Sequence, residues 1–315
     1  MTEPVARGQD TSELLGRALR AAGLSTSTLD IERIGFGNRK ETFAVSPEGE
    51  ASVVVQLSDA GGLRTEARLL EAIETATAVP VASILDYGTV DGWEYLVAEQ
   101  ASGENLHDRF SGLPGQVRQN LARKFGRHLG TLHETFVFDG VGRLELEAGA
   151  LRASARDWQS WFEQYGTDAI ERLPAEFDDV RGELRAALDG EGEAEATPRL
   201  FPWDFRPGNA LARREQLTAI LDWEQPLAAA PALSAAKAEY LVADWYVEES
   251  APLREAFREG YRKVRPWPDV RPVHRIAAIA SAAVDSRGTV TNPLYPELGR
   301  DEAIQFHREA LTAVL

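Results

Sequence analysis

The 315-residue chain contains no cysteine. That excludes disulfide staples, thiolate metal sites and a cysteine nucleophile. Lysine is nearly as scarce: Lys40, Lys124, Lys237 and Lys263 stand against thirty arginines. Basic residues are outnumbered by acidic ones, 34 to 50, for a formal net charge of -16. Such a field repels a phosphate backbone, so a nucleic-acid partner is not expected. No uninterrupted run of about 18 apolar residues occurs, which excludes a hydrophobic spanning helix, and no membrane partner is expected. The N-terminal MTEPVARGQDTSELLGRAL has no apolar core of roughly 7–15 residues and does not read as a signal peptide, so a cytoplasmic location is expected.

The excess of acid, with few lysines and no cysteine, resembles halophilic proteins, whose carboxylates keep the surface hydrated in molar salt. A GC-rich genome favouring Arg and Ala is the plainer source of the same bias. Either way the acidity does not identify a cationic substrate. Hydrophobic residues at 43% and charged residues at 27% are ordinary for a globular chain. The length suggests about two domains.

Residues 10–23 have the apolar spacing of a short amphipathic helix, with Leu14, Leu15, Ala18 and Leu19 on one face. Strand-like runs follow at 31–34, 41–45 and 52–57, the last two joined by the turn signal SPEGE. LRTEARLLEAIETA (63–76) is helical in period, and two further strands precede Gly103. Beyond it the period is mainly 3.6, over 116–136, 156–173, 177–188 and from about 233 to the end. One β-hairpin interrupts these helices, ALARR (210–214) and LTAILDW (217–223), with its turn at Glu215-Gln216. The expected organisation is α+β: an N-terminal helix (1–24), a small antiparallel β-sheet lobe with one main helix (25–99), a hinge (100–105) and a larger, mostly helical lobe (106–315).

The most informative stretch is FPWDFRPGNALARREQLTAILDW, which carries Asp204, Asn209 and Asp222. With a turn at 215–216, residues 209 and 222 lie opposite each other. Their side chains then offer two hard oxygen donors to one small volume, as Mg2+ requires. Asp204, just upstream, is placed to accept a proton from an attacking hydroxyl.

These residues resemble the catalytic segment of the aminoglycoside phosphotransferase-type small-molecule kinases, which share the bilobal protein-kinase-like fold. The resemblance implies that Asp204 is the catalytic aspartate, that Asn209 and Asp222 bind magnesium, and that ATP is the phosphoryl donor. It covers about residues 25–250. IGFGNRKETFAV stands where the family places its phosphate-covering loop, which implies nucleotide contacts from Gly35, Gly37 and Asn38. Glu66 sits where the family has its acidic helix residue. YLVAEQASGENL resembles the adenine-holding linker, which assigns the backbone of Glu99 to Ala101 to adenine, with Val55 and Leu211 sandwiching the ring. HLGTLHE (128–134) resembles a helix ending in Leu-His. Acceptors resembling known family substrates are aminoglycosides, amino alcohols such as choline, homoserine, sugars and thio-sugars; oligomeric state is unknown.

The chain departs from the family pattern in places. Gln56 stands where the family has a phosphate-contacting lysine, and charge-assisted contacts are roughly twice as strong as neutral ones. Arg39 or Lys40, on the preceding loop, is the candidate to supply the charge in its place. Pro202-Trp203 replaces the usual His-Gly, and the acid of a Gly-Asp-Pro-type segment after Asp222-Trp223-Glu224 is absent.

Each assignment has a plainer competitor. Asn209 beside Gly208 has the form of a turn initiator. Glu66 lies on an acid-rich helix, and Gly35 with Gly37 fits a tight hairpin. Trp158 and Trp161 read as core, and the five histidines show no metal-ligand spacing. The favoured reading is a Mg-ATP-dependent phosphotransferase acting on a hydroxyl of a small molecule. The alternative is a non-catalytic pseudokinase or nucleotide-binding module on the same fold, suggested by Gln56 and by the loss of the usual His-Gly before Asp204.

Overall fold

A computed structural model describes residues 7–27, 29–35, 40–49, 51–188, 197–247, 249–285, 287–293 and 297–315. Strand alternation organises its first third. β1 (Leu29–Gly35), β2 (Glu41–Pro47), β3 (Val53–Ser58), β4 (Ile84–Val90) and β5 (Trp93–Glu99) form one antiparallel sheet in the order β1-β2-β3-β5-β4. Successive side chains on a strand point to opposite faces. Phe43, Val45, Val53, Val55, Leu57, Tyr95 and Val97 share one face, which Leu14, Leu15, Ala18 and Leu19 of α1 (Arg7–Ala21) cover. Leu96 and Ala98 point the other way, into the core that includes Leu63, Ala67 and Leu70 of α2 (Leu63–Ala76).

The rest is mostly helical: α3 (Gly115–Thr135), α4 (Trp158–Arg172), α5 (Asp178–Leu188), α6 (Pro231–Glu239), α7 (Ala251–Arg262), α8 (Pro272–Ala283) and α9 (Arg300–Thr312). A π-helical segment, Tyr240–Asp244, extends α6. Short strands stitch these together. β6 (Glu104–Asn105) and β11 (Gln216–Ile220) flank β10 (Ala210–Arg213), while β8 (Ala150–Ala155), β7 (Val141–Glu147), β12 (Leu227–Ala229) and β9 (Arg199–Phe201) form a second small sheet. The architecture is the expected α+β arrangement of a small sheet and a larger helical part. It corrects the expectation of one hairpin among the helices, because β7 and β8 form another. Alternation in LELE and the turn Ala148-Gly149, with φ of 48° and 81°, are its local cause.

Two glycines set the closest approach of helices. A Cβ on Gly126 of α3 would lie 1.9 Å from the Phe257 carbonyl oxygen of α7, and one on Gly260 of α7 would lie 1.8 Å from that of Arg123. Both obstacles are backbone, so relief requires the helices to separate. Gly260→Ala is expected to destabilise the fold by about 3 kcal/mol or more, read as a lowered urea midpoint at unchanged m-value. Among the described residues no helix is long and apolar enough to cross a membrane.

Candidate active site

The β10–β11 hairpin brings the sequence-predicted site residues together, with a corrected register. Ala210 faces Ile220 and Leu211 faces Ala219; a bulge then shifts the pairing so that Arg213 faces Gln216. The turn is therefore at Arg214-Glu215, with Arg214 at φ 58°, and not at 215–216. Residue 209 pairs with Leu221, whose N–H donates to the Asn209 carbonyl at 2.7 Å, and not with 222. Asp222 lies one residue further on, at φ 60°. Asp tolerates that left-handed region better than most residues, and the chain leaves the strand there.

Asp204 and Asn209 form a compact unit before β10. The Asn209 Nδ2 donates to the Asp204 backbone carbonyl at 3.0 Å and to its Oδ2 at 2.8 Å. With the amide nitrogen so engaged, the Asn209 oxygen remains the outward acceptor. The other carboxylate oxygen, Oδ1, accepts from Arg206 Nε at 2.8 Å. Arg206 in turn lies 5.2 Å from the Trp245 ring and donates to Tyr246 Oη, which also accepts the Gly208 N–H at 3.0 Å. Burial alone would depress the Arg206 guanidinium; Asp204 beside it holds its pKa above the ordinary value. Gly208 is required at the turn, since a Cβ there would meet Tyr246 Oη at 2.6 Å.

Across the hairpin lies a second cluster. Lys40, immediately before β2, donates to both Glu66 oxygens, at 3.1 and 3.0 Å, and its Nζ lies 3.1 Å from Asp222 Oδ1. Glu66 is 3% exposed, and its Oε1 also accepts the Trp223 N–H at 3.3 Å. Burial would depress the Lys40 ammonium, yet Glu66, Asp222 and Glu224 together hold it above its usual range. Burial lifts the Glu66 carboxyl, with Lys40 opposing and Asp222 reinforcing the rise. Three carboxyl groups thus face one ammonium.

Lys40 changes the meaning of Gln56. The expected loss of a cation opposite Glu66 does not occur, because β2 supplies the ammonium that β3 lacks. Gln56 pairs with Thr42 across β2–β3, and its Oε1 is buried without a hydrogen-bond partner among the described residues. Val55 does not reach the cleft, contrary to expectation. Its side chain is wholly buried among the residues that α1 covers, and alternation puts Val54 and Gln56 on the opposite face. Leu211 is half-buried on β10, opposite Asn105 of β6. Gly35 ends β1 at a register shift, whereas Gly37, Asn38 and Arg39 lie outside the described residues. At the linker, the Glu99 N–H donates to Ser83 O and the Gln100 N–H to Ser52 O; Ala101 is half-buried.

Asp204 and Asp222 open onto a cleft of about 660 Å³, also lined by Trp203, Arg206, Lys237 and Trp245. Lys237 of α6 is 2% exposed; its Nζ lies 3.4 Å from the Trp203 ring centroid and donates to Ser281 Oγ at 3.1 Å. Burial pushes its ammonium down to about 7, with Asp204 opposing that fall and Arg172 adding to it. Sequence reasoning passed over Lys237, Arg206 and Tyr246. For Lys237 a signal existed: it is one of four lysines, set in an alanine-rich helix. His107 also lines this cleft, unlike His133, which is buried between Tyr261 and Ser234.

A sequence model of the family described as "phosphotransferase enzyme family" matches residues 30–273. No curated protein matches by sequence. Among solved structures, the chain is similar to an aminoglycoside phosphotransferase, APH(4)-Ia, determined with ADP and hygromycin B, at a TM-score of 0.66 and 14% identity over 97% of both chains. A Ralstonia eutropha chain assigned to the aminoglycoside phosphotransferases superposes at a TM-score of 0.65 and 18% identity, covering 96% of this chain and 95% of that one. Spectinomycin phosphotransferase, APH(9)-Ia, with ADP and spectinomycin, superposes at 0.61 and 13% identity, covering 99% and 98%. The shared fold is the bilobal kinase-like one.

Proposed function

Because this chain belongs to the phosphotransferase enzyme family, we propose that it transfers the terminal phosphoryl group of ATP to a hydroxyl of a small molecule, with magnesium. Residues 25–99 serve in this reading as the nucleotide-covering lobe, 100–105 as the hinge and 106–315 as the catalytic and acceptor-binding lobe. The observation that carries it is the coexistence of two organised units on the two flanks of one hairpin, Asp204–Asn209–Arg206 before β10 and Lys40–Glu66–Asp222 after β11.

The residues fit a divalent ion. Among the described residues no three His, Cys, Asp or Glu converge as ligands. Mg2+ commonly takes only one or two carboxylates and completes its shell with phosphate oxygens and water. Asn209 through its amide oxygen and Asp222 through its carboxylate would hold it, and the surplus of carboxyl groups over ammonium around Lys40 suits a dication. When bound, the ion neutralises phosphate charge. Lys40, fixed by Glu66, is a point charge for phosphate oxygens, the role first expected at Gln56. In this reading Leu211 packs against the adenine ring and the linker backbone from Glu99 to Ala101 binds its edge.

Asp204 receives the acceptor's proton. Arg206 and Asn209 hold its two oxygens, so the carboxylate is fixed before substrate arrives, and phosphoryl transfer depends chiefly on such positioning. The Lys40–Glu66 pair removes one of the two grounds for the pseudokinase reading, the missing cation; the other, Pro202-Trp203 in place of His-Gly, stands.

Calorimetric titration of ATP with and without Mg2+ tests the nucleotide half of this reading. Wild type is expected to bind far more tightly with the ion. Asp222→Ala is expected to lose that dependence and at least tenfold in affinity, about 1.4 kcal/mol. Metal-independent binding by wild type would remove Asp222 from the role.

A further inference from the structure

Lys237 has no part in the chemistry assigned so far, yet its place is unusual. A lysine is seldom fully buried unless paired, and a buried charge normally has a counter-charge. Among the described residues no carboxylate lies within ion-pair distance of Lys237; its contacts are the Ser281 hydroxyl and the Trp203 ring. The two arginines of the cleft are engaged, Arg206 with Asp204 and Arg300 with Glu176. Among the described residues Lys237 thus lines this cleft with no carboxylate in ion-pair contact. Ser281 cannot supply one: its oxygen already accepts from Tyr165 at 2.8 Å and its hydroxyl donates to Ala278 O at 2.9 Å.

Position separates Lys237 from the nucleotide cluster. Lys40 approaches Asp222 from β2, whereas Lys237 comes from α6 and is tied to α8. Trp203, the ring it lies against, immediately precedes Asp204. A group held by Lys237 therefore sits on the acceptor side of the proton-accepting carboxylate.

We propose that Lys237 is a specificity-determining residue which binds an oxyanion of the acceptor, a carboxylate or a phosphate, so that the substrate is an anionic hydroxy compound and not a polycationic one. The anion supplies the counter-charge that the fold withholds. Trp203 and Ser281 fix the ammonium, so little side-chain freedom is lost on binding. This rests on the reading of Asp204 as the proton acceptor.

Four lysines make the test direct. In a chain with 13C-labelled lysine, the ε-methylene signals of Lys40, Lys124, Lys237 and Lys263 are assigned by single substitution. Inorganic phosphate and glycerate, added in the presence of saturating Mg-ADP, are expected to shift the Lys237 signal saturably, while glycerol, the same skeleton without the anion, leaves it in place. A Lys237 signal unmoved by both anions up to about 50 mM, beyond the millimolar range of a single ion contact, overturns the proposal. So does a Lys237 signal that answers Mg-ATP alone, which would put the lysine on the transferred phosphoryl group. The Lys40 signal reports separately: if Mg-ATP does not move it, the phosphotransferase reading fails first. In turnover, Lys237→Met is expected to raise KM for an anionic acceptor at least tenfold with KM for ATP unchanged. A neutral or cationic acceptor used equally by wild type and K237M overturns the assignment. K237M should also keep the wild-type urea midpoint or exceed it. A marked fall would make the lysine structural and would likewise overturn the inference.

Discussion

Asp204→Asn is expected to lower turnover by about 10²–10⁴-fold, the usual contribution of a positioned general base. The readout is phosphoryl transfer to any acceptor that wild type uses, or slow ATP hydrolysis with water as acceptor. Affinity for Mg-ATP should change little, because the nucleotide cluster is built from Lys40, Glu66 and Asp222. The substitution nearly preserves shape, but it removes the charge that faces Arg206. It also sets an amide nitrogen against an N–H donor in either orientation, Asn209 Nδ2 or Arg206 Nε. A modest loss of stability is therefore expected alongside the kinetic loss. Retained turnover in a folded variant would refute the role assigned to Asp204.

Lys40→Met should have the second large effect, on both stability and nucleotide use. Glu66 would be left buried beside Asp222 without its ammonium. Removing one partner of a buried pair costs roughly 3–5 kcal/mol. The pH dependence has a definite sign. Burial already raises the Glu66 pKa in the folded state, and losing Lys40 raises it further. A folded-state carboxyl above its unfolded value favours the fold below the unfolded value, and that contribution is lost as pH rises through the folded one. The stability deficit of K40M should thus be small in acid, below about pH 4, the ordinary glutamate range. It should be largest near neutrality. Adding Glu66→Gln removes the stranded charge and should restore much of the stability at neutral pH. It should not restore affinity for Mg-ATP, since no ammonium returns. Urea midpoints across pH, with ATP titrations of the single and double variants, check both halves. Full nucleotide affinity in K40M would return the role to another cation.

Much of the site was legible because it is local. Asp204, Asn209 and Asp222 belong to one hairpin, so their spacing implied proximity before any fold was known. The register was legible only to within one residue. Moving the turn to 214–215 shifts the partner of residue 209 from 222 to 220, and the bulge between Leu211 and Ala212, which carries no distinct sequence signal, returns it to 221. The Val55 expectation failed on parity. Val55 and Gln56 were both assigned to the nucleotide, but neighbours on a strand face opposite ways. Which face α1 covers depends on where that helix docks, and helix 10–23 shows only that it has an apolar side.

The sequence alone determined the α+β organisation, the β-type patterning of 31–57 and the main helices, since each depends on periodicity and turn chemistry within a short window, and its 201–223 segment carried the family resemblance. Tertiary structure alone decided the partner of Glu66. Lys40 is 26 residues from Glu66 in the chain, and Trp223, whose N–H Glu66 accepts, is 157 residues away; strand pairing and helix docking bring these groups together. The fold likewise decided that Lys237 is buried on Trp203 across the cleft. A charge inside a protein takes its meaning from what surrounds it, and those surroundings are assembled from elements distant in sequence.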